Sequence, residues 1–230
     1  MNIGLPLCNT DHTKYKGMGK TKRKNVMVGG RVFFTSDHHF GHFNITKYQN
    51  RPFNSSKEMD EFLIEKWNSV VSSEDIVFHL GDFTLRGLKF ADMIWRRLNG
   101  NIKMVAPPYH HDRKWIEEYR IGDGSIPCES KSGLLVDLYE GPHVLQTIEG
   151  FHPHIVLYHF PFAVWDRKHY GSWHLHGHSH GRFKGEGLCM DVGVDTEIAN
   201  YCPVSLEQVR DFMENTKKEF LESITLAKVE

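Results

Sequence analysis

The stretch SWHLHGHSHG places His174, His176, His178 and His180 at every second position. A neutral imidazole is the commonest protein ligand for zinc and similar metals, so this spacing reads as part of a metal site. The histidines lie inside the chain, interleaved with Trp173, Leu175 and Gly177, which is not the layout of a purification tag. Their partners must come from elsewhere, and several clusters can supply them. Asp37 and His39 stand in SDHHFGH, Asp82 in HLGDF, His110, His111 and Asp112 in PPYHHD, and His159 in LYHFP. Gathering so many ionisable groups is costly unless cations neutralise and coordinate them. Two cations sharing a bridging carboxylate account for the count, at about three or four protein ligands each.

Each cluster follows a short, β-rich apolar run. RVFFTSD (31–37), DIVFHLGD (75–82), NIKMVA (101–106), HIVLYHF (154–160) and SWHLHGH (172–178) all end this way, as buried strands do when they emerge into loops. Further strands are expected over 133–139, 143–149 and 187–192. After the capping region Asn54-Ser55-Ser56, residues Met59, Phe62, Leu63, Trp67 and Val70 recur at helical spacing. Phe90, Met93, Ile94 and Leu98 mark a second helix, closed by Asn99-Gly100, and Val209, Phe212, Met213 and Phe220 a last one. Early alternation of strands and helices, with hairpin-like strands in the middle, indicates a layered α/β domain of sheets flanked by helices. Strand ends collect at one edge of such a sheet, so residues far apart in sequence converge there.

The composition sets limits. A chain of 230 residues, 40% of them hydrophobic, suits one domain with a sizeable core. Lys and Arg total 28 against 29 Asp and Glu, so no overall basic field points to general nucleic-acid binding. The charge is uneven, however. Residues 1–29 hold Lys14, Lys16, Lys20, Lys22, Arg23 and Lys24 against Asp11 alone, and read as a flexible basic arm before a domain spanning 30–230. The acidic remainder suits a domain holding cations. Cys8, Cys128, Cys189 and Cys202 form no CxxC pair, which indicates reduced thiols. With no secretory signal and no apolar segment near the ~18 residues that cross a bilayer, a cytoplasmic protein without membrane contact is expected.

Taken together, the motifs resemble the calcineurin-like metallophosphoesterases. That family's pattern is Asp-x-His, Gly-Asp, Gly-Asn-His-Asp/Glu, a lone His, then Gly-His-x-His. The corresponding residues are Asp37-His38-His39, Gly81-Asp82, Tyr109-His110-His111-Asp112, His159, and Gly177-His178-Ser179-His180. FTSDHHFGHFNI, NRPF and HLGDF look like a small bacterial and phage branch, and the likeness continues through MDVGVD and CPVSLEQV.

The resemblance implies a four-layer α/β/β/α sandwich of mixed sheets flanked by helices. It implies two divalent cations, manganese first, with iron, zinc, nickel or cobalt as alternatives. One would be held by Asp37, His39, Asp82 and His180, the other by Asp82, His159, His178 and His110. His176 would then support the sheet or back the ligands, and His174 would be structural. The activity implied is hydrolysis of a phosphate ester, mono- or diester, by a hydroxide shared between the cations. His111 would protonate the leaving group and Asp112 would orient His111. The ester could belong to a nucleotide or a nucleic-acid end.

The third motif departs from the family. Tyr109-His110 replaces Gly-Asn and VAPPYHHD is longer than usual, so His110 either substitutes an imidazole for the Asn oxygen or is carried away with the loop. In the second case a catalytically weak or silent metal module that binds a nucleotide or protein partner is the alternative. His42 and Asn44 lie just beyond the first ligands, where they would touch the phosphate or pack the loop. Arg167, Lys168 and His169, between two ligand strands, would bind a second phosphate or form a solvated loop. His38 and His79 are expected off the site, His79 as a buried, hydrogen-bonded residue.

Overall fold

Val32 and Phe34 point to one side of their strand and Phe33 to the other, and all three are buried. A strand covered on both faces reads as a continuous apolar run, which is how parallel sheets in layered α/β proteins are built. The computed structural model describes residues 30–107, 110–121, 128–139, 141–145 and 154–226. The basic stretch 1–29, Tyr109, and residues 146–149 of an expected strand lie outside these.

Strands β1 (Val32–Thr35), β2 (Ile76–His79), β3 (Asn101–Val105) and β4 (Asp137–Tyr139) pair in parallel, and β9 (Val204–Ser205) adds an antiparallel edge beside β1. Their order is β4-β3-β2-β1-β9. The second sheet runs β5-β6-β7-β8, from β5 (His143–Leu145), β6 (Ile155–Leu157), β7 (Trp173–His176) and β8 (Cys189–Asp191). Its three strands β6, β7 and β8 are parallel and β5 is antiparallel. The expected hairpin in the middle is not formed between β4 and β5. They enter different sheets, because β4 completes the parallel set on β3.

Helices α1 (Asn44–Tyr48), α2 (Ser56–Val70), α3 (Leu88–Trp95), α4 (Arg113–Ile121) and α5 (Leu206–Leu226) complete the chain. Ser55 caps α2 by accepting from Glu58 N at 3.1 Å, and Glu58 reaches back to Asn54 N at 2.8 Å. Met59, Leu63 and Trp67 of α2, Ile94 and Trp95 of α3, and Trp115 and Ile116 of α4 pack on Phe33, Val77 and Ile102. Val32, Phe34, Ile76 and Phe78 face the other way, against Ile155, Leu157, Trp173 and Leu175, with Val209 and Met213 of α5 closing that core. The first sheet is thus sandwiched between helices and the second sheet. The tryptophans Trp67, Trp95 and Trp115 are fully buried, and truncating a side chain of that size costs roughly 3–5 kcal/mol. Trp165 and Phe162, from the connection between β6 and β7, cover Val156 and Cys189 on the outer side of the second sheet. Among the described residues no helix is long and apolar enough to cross a membrane.

Candidate metal centre

In parallel strands all carboxyl ends lie at one edge, so the residues that follow β1, β2 and β3 come together. The loops after β1 and β2 keep running side by side: Asp37 N donates to Gly81 O at 3.0 Å and His39 N to Asp82 O at 2.9 Å. In the second sheet, Gly177 N donates to His159 O at 3.0 Å. The two edges are joined by a parallel bridge between Ser36 and Gly193. Across that seam His178 N donates to both oxygens of Asp37, at 3.1 and 3.0 Å. Gly177 permits this approach, since a Cβ there would stand 2.1 Å from Ser36 Oγ and 2.5 Å from Asp37 Oδ2.

The edge is strained where it matters. Asp37, His39, Asp82, His178 and His180 all carry φ between 48° and 67°. Left-handed backbone at a residue with a side chain costs of order 1–3 kcal/mol and concentrates at functional sites, where it aims a group that regular geometry would point elsewhere. Here it turns each side chain toward a common centre.

Two groups result. Asp82, His110, His159 and His178 present ligand atoms within 4.8 Å of one another, and so do Asp37, His39 and His180. Asp82 touches both: its Oδ2 lies 3.2 Å from His39 Nε2 and 3.7 Å from His159 Nε2. His110 Nδ1 lies against Asp82 Oδ1, yet neither atom makes a hydrogen bond. Buried His39 Nε2 and His159 Nε2 are likewise without a hydrogen-bond partner. Orphaned lone pairs crowding one carboxylate fit a cation better than they fit each other.

The electrostatics agree. Burial pushes His39 down to about 4 and His159 down to about 3, so both imidazoles are neutral at pH 7 with lone pairs free to coordinate. Burial, then the nearby charges of Asp82 and Asp191, raises the Asp37 carboxyl well above the usual range. Burial alone would raise Asp82 too, but the imidazoles of His110 and His39 outweigh it and hold this carboxyl far below its ordinary value. These groups could hold a metal ion.

No family model matches the chain. An uncharacterised protein of Methanocaldococcus jannaschii, MJ1445, is 31% identical over 194 residues, which cover 81% of this chain and 93% of that protein. The chain belongs to the family of MJ1445. Gene 66 proteins of Mycobacterium phages D29 and L5 are also similar. The first is 26% identical over 205 residues, covering 81% of this chain and 98% of the phage protein. The second is 28% identical over 172 residues, covering 65% and 77%. A crystal structure of a protein of unknown function from Aquifex aeolicus, AQ665, matches with a TM-score of 0.55 at 22% identity, over 80% of this chain and 99% of that one. It shows a shared mixed α/β fold.

In this member of the MJ1445 family all seven residues read as metal ligands stand in the two groups, His110 included. His111 sits at the exposed rim, its ring 5.6 Å from that of His39 and 4.5 Å from that of His110. His42 packs at 5.7 Å from His39, with its Nδ1 buried and unpartnered. Asn44 is exposed at the start of α1.

Two assignments are corrected. Asp112 does not orient His111. Its buried carboxylate accepts from Phe83 N at 2.9 Å, Thr84 N at 3.0 Å and Trp115 Nε1 at 2.6 Å, three donors that need an acceptor in the core. It pins the loop that carries Asp82 to α4. Arg167 is remote from the site. It meets His154 Nε2 at 3.1 Å, at the amino end of β6, because the crossover between parallel β6 and β7 must return to that end before β7 can start.

Other histidines fall where expected. His38 Nδ1 pairs with His79 Nε2 at 2.9 Å in the core, and His174 accepts from Phe162 N at 3.0 Å. His176 is buried behind the strand, 5.4 Å from the ring of His174. Of the aromatics near the site, Phe40 and Phe83 are core, whereas Phe160 lies against His178 at 4.7 Å.

Sequence reading missed Arg51 and Asp195. Arg51 is buried and donates to Asp195 through Nε and Nη2, both at 2.7 Å, and to the carbonyls of Asp37 (2.7 Å) and His38 (2.9 Å). Asp195 in turn receives His180 Nδ1–H at 2.6 Å, which leaves Nε2 of His180 free to coordinate. Burial raises the Asp195 carboxyl, but Arg51 and His180 prevail and bring it down to about 2. Both residues lie in stretches already singled out, NRPF and MDVGVD, where an Arg and an Asp in apolar surroundings are the signal. Asp195→Asn is expected to weaken metal binding by about 10–100-fold. Competition against a fluorescent chelator measures this, and unchanged affinity would limit Asp195 to a scaffold role.

Proposed function

We propose that the protein is a metal-dependent phosphoesterase of the calcineurin-like kind that holds two divalent cations, manganese first, with Asp82 shared between them. The observation that carries this reading is the position of Asp82. It belongs to the group with His110, His159 and His178, and its Oδ2 also lies 3.2 Å from His39 of the other group. In this reading the stacked sheets and their helices are the α/β/β/α frame of such enzymes. The free thiols of Cys128, Cys189 and Cys202 suit the cytoplasmic location we assign.

When bound, the cations would supply a nucleophile near neutral pH and neutralise the charge of the phosphoryl group. The chain's own residues do the rest. His111, at the exposed rim, gives its proton to the departing oxygen. We assign His42, packed 5.7 Å from the ring of His39, to the binding of a phosphoryl oxygen. Arg51 and Asp195 fix the ring of His180, and Asp112 fixes the loop of Asp82. Phe160, packed on His110 and His178, keeps water from one side of the site. The silent-module alternative rested on a third motif swung away from the centre. His110 lies against Asp82, which favours the reading in which its imidazole takes the place of the Asn oxygen.

The test is an assay of purified protein with manganese on bis(p-nitrophenyl) phosphate and p-nitrophenyl phosphate. Turnover of at least one is expected, lost on chelation and restored by manganese. Failure to turn over either ester with two metals bound would overturn the reading.

A further inference from the structure

A cavity of about 590 Å³ opens beside the metal centre, lined by Arg86, Lys89 and Lys114 together with Phe90, Met93 and Glu118. It adjoins the site through its own wall. Arg86 and Phe90 press on Gly41, the residue before His42, so closely that a Cβ on Gly41 would stand 2.8 Å from each side chain. Arg86 follows Asp82 by four residues on the loop that Asp112 pins, and Lys114, the second residue of α4, comes three after His111. The cavity is therefore walled by the same loop and helix that follow Asp82 and His111.

Its charge is strongly one-sided. Glu118 is the only acid in the lining, and its carboxylate is engaged at Leu88 N, the amino end of α3. The guanidinium of Arg86 stacks over Phe90, 4.2 Å from the ring centroid, while Lys89 and Lys114 are exposed and form no ion pair among the described residues. Three cations around one apolar-floored hollow, in a domain that is otherwise acidic, match an anion carried on an organic body.

We propose that this cavity binds a second phosphate on the leaving-group side, so that the preferred substrate is a phosphodiester or phosphoanhydride whose leaving group itself carries a phosphate. The proposal rests on the phosphoesterase reading and narrows its substrate class. Arg86 recognises the phosphate by paired N–H donors, and Lys89 and Lys114 add charge. It also supplies the second-phosphate site that Arg167, at the far end of the sheet, cannot.

The experiment compares wild type with R86S/K89S/K114S, all exposed positions, as manganese-loaded protein. Substrates are bis(p-nitrophenyl) phosphate, a trinucleotide, and a dinucleoside polyphosphate. The variant should lose at least about tenfold in kcat/KM on the trinucleotide, the dinucleoside polyphosphate or both, and stay within about twofold on the chromogenic diester. Which of the two suffers identifies the source of the phosphate. Equal losses on all three, or none, would overturn the proposal. Binding of a phosphorothioate trinucleotide provides a readout that needs no turnover. Its salt dependence should flatten by about 0.7 in the log–log slope, the value for one phosphate no longer neutralised on a single strand. A chain that hydrolyses nothing but shows this change retains the cavity assignment while the enzyme reading fails; an unchanged slope removes the cavity assignment.

Discussion

We expect Asp82→Ala protein to bind at most one manganese ion per chain and to turn over phosphodiesters at least ~10³-fold more slowly than wild type, a barrier increase of about 4 kcal/mol. Asp82 is the one carboxylate in its group; the other members are His110, His159 and His178. Three imidazoles offer lone pairs but no negative charge, and the group built on Asp37, His39 and His180 loses the carboxylate 3.2 Å from His39 Nε2. Asp82 also sits at φ 55°, where alanine is more strained than aspartate. Asp82→Asn is the matched control, since asparagine tolerates that backbone. It should show the same losses with the fold intact by circular dichroism. Two ions bound by either variant would remove Asp82 from its bridging role.

The second large effect is expected at His111. His111→Ala keeps the metal content of wild type, because His111 belongs to neither ligand group. It slows hydrolysis of an alkyl or nucleoside ester by roughly 10²–10⁴-fold, the range for a lost general acid. With p-nitrophenolate as leaving group the loss shrinks to a few-fold, since that oxygen departs without a proton. Equal losses on good and poor leaving groups would show that His111 does not supply the proton. Loss of metal would make it a ligand.

The seven ligand candidates were legible because each follows a parallel strand, and parallel strands deliver their ends to one edge whatever the loops between them do. The apolar run before Asp82 is enough to place that carboxylate beside Asp37, 45 residues away. Arg51 and Asp195 were not legible by the same route. Arg51 precedes α2 and Asp195 follows β8, and only tertiary packing puts their side chains 2.7 Å apart. Arg167 was misplaced because position between two ligand strands says nothing about which end of the sheet a crossover visits. Asp112 was misread because proximity in sequence to His111 hides the inward turn of its carboxylate. Among the elements, α4 went unseen: Trp115, Ile116 and Tyr119 form its buried side, but Arg113, Lys114, Glu117 and Glu118 break the apolar pattern. The five-residue α1 and two-residue β9 are too short to leave a periodic trace.

Anomalous diffraction at the manganese edge, from crystals grown with that metal, tests the shared carboxylate most directly. Two peaks about 3.5–4 Å apart are expected, both in contact with Asp82, one among His110, His159 and His178 and the other among Asp37, His39 and His180. A single peak at full occupancy, or two peaks that do not both reach Asp82, would contradict a dinuclear centre in this protein.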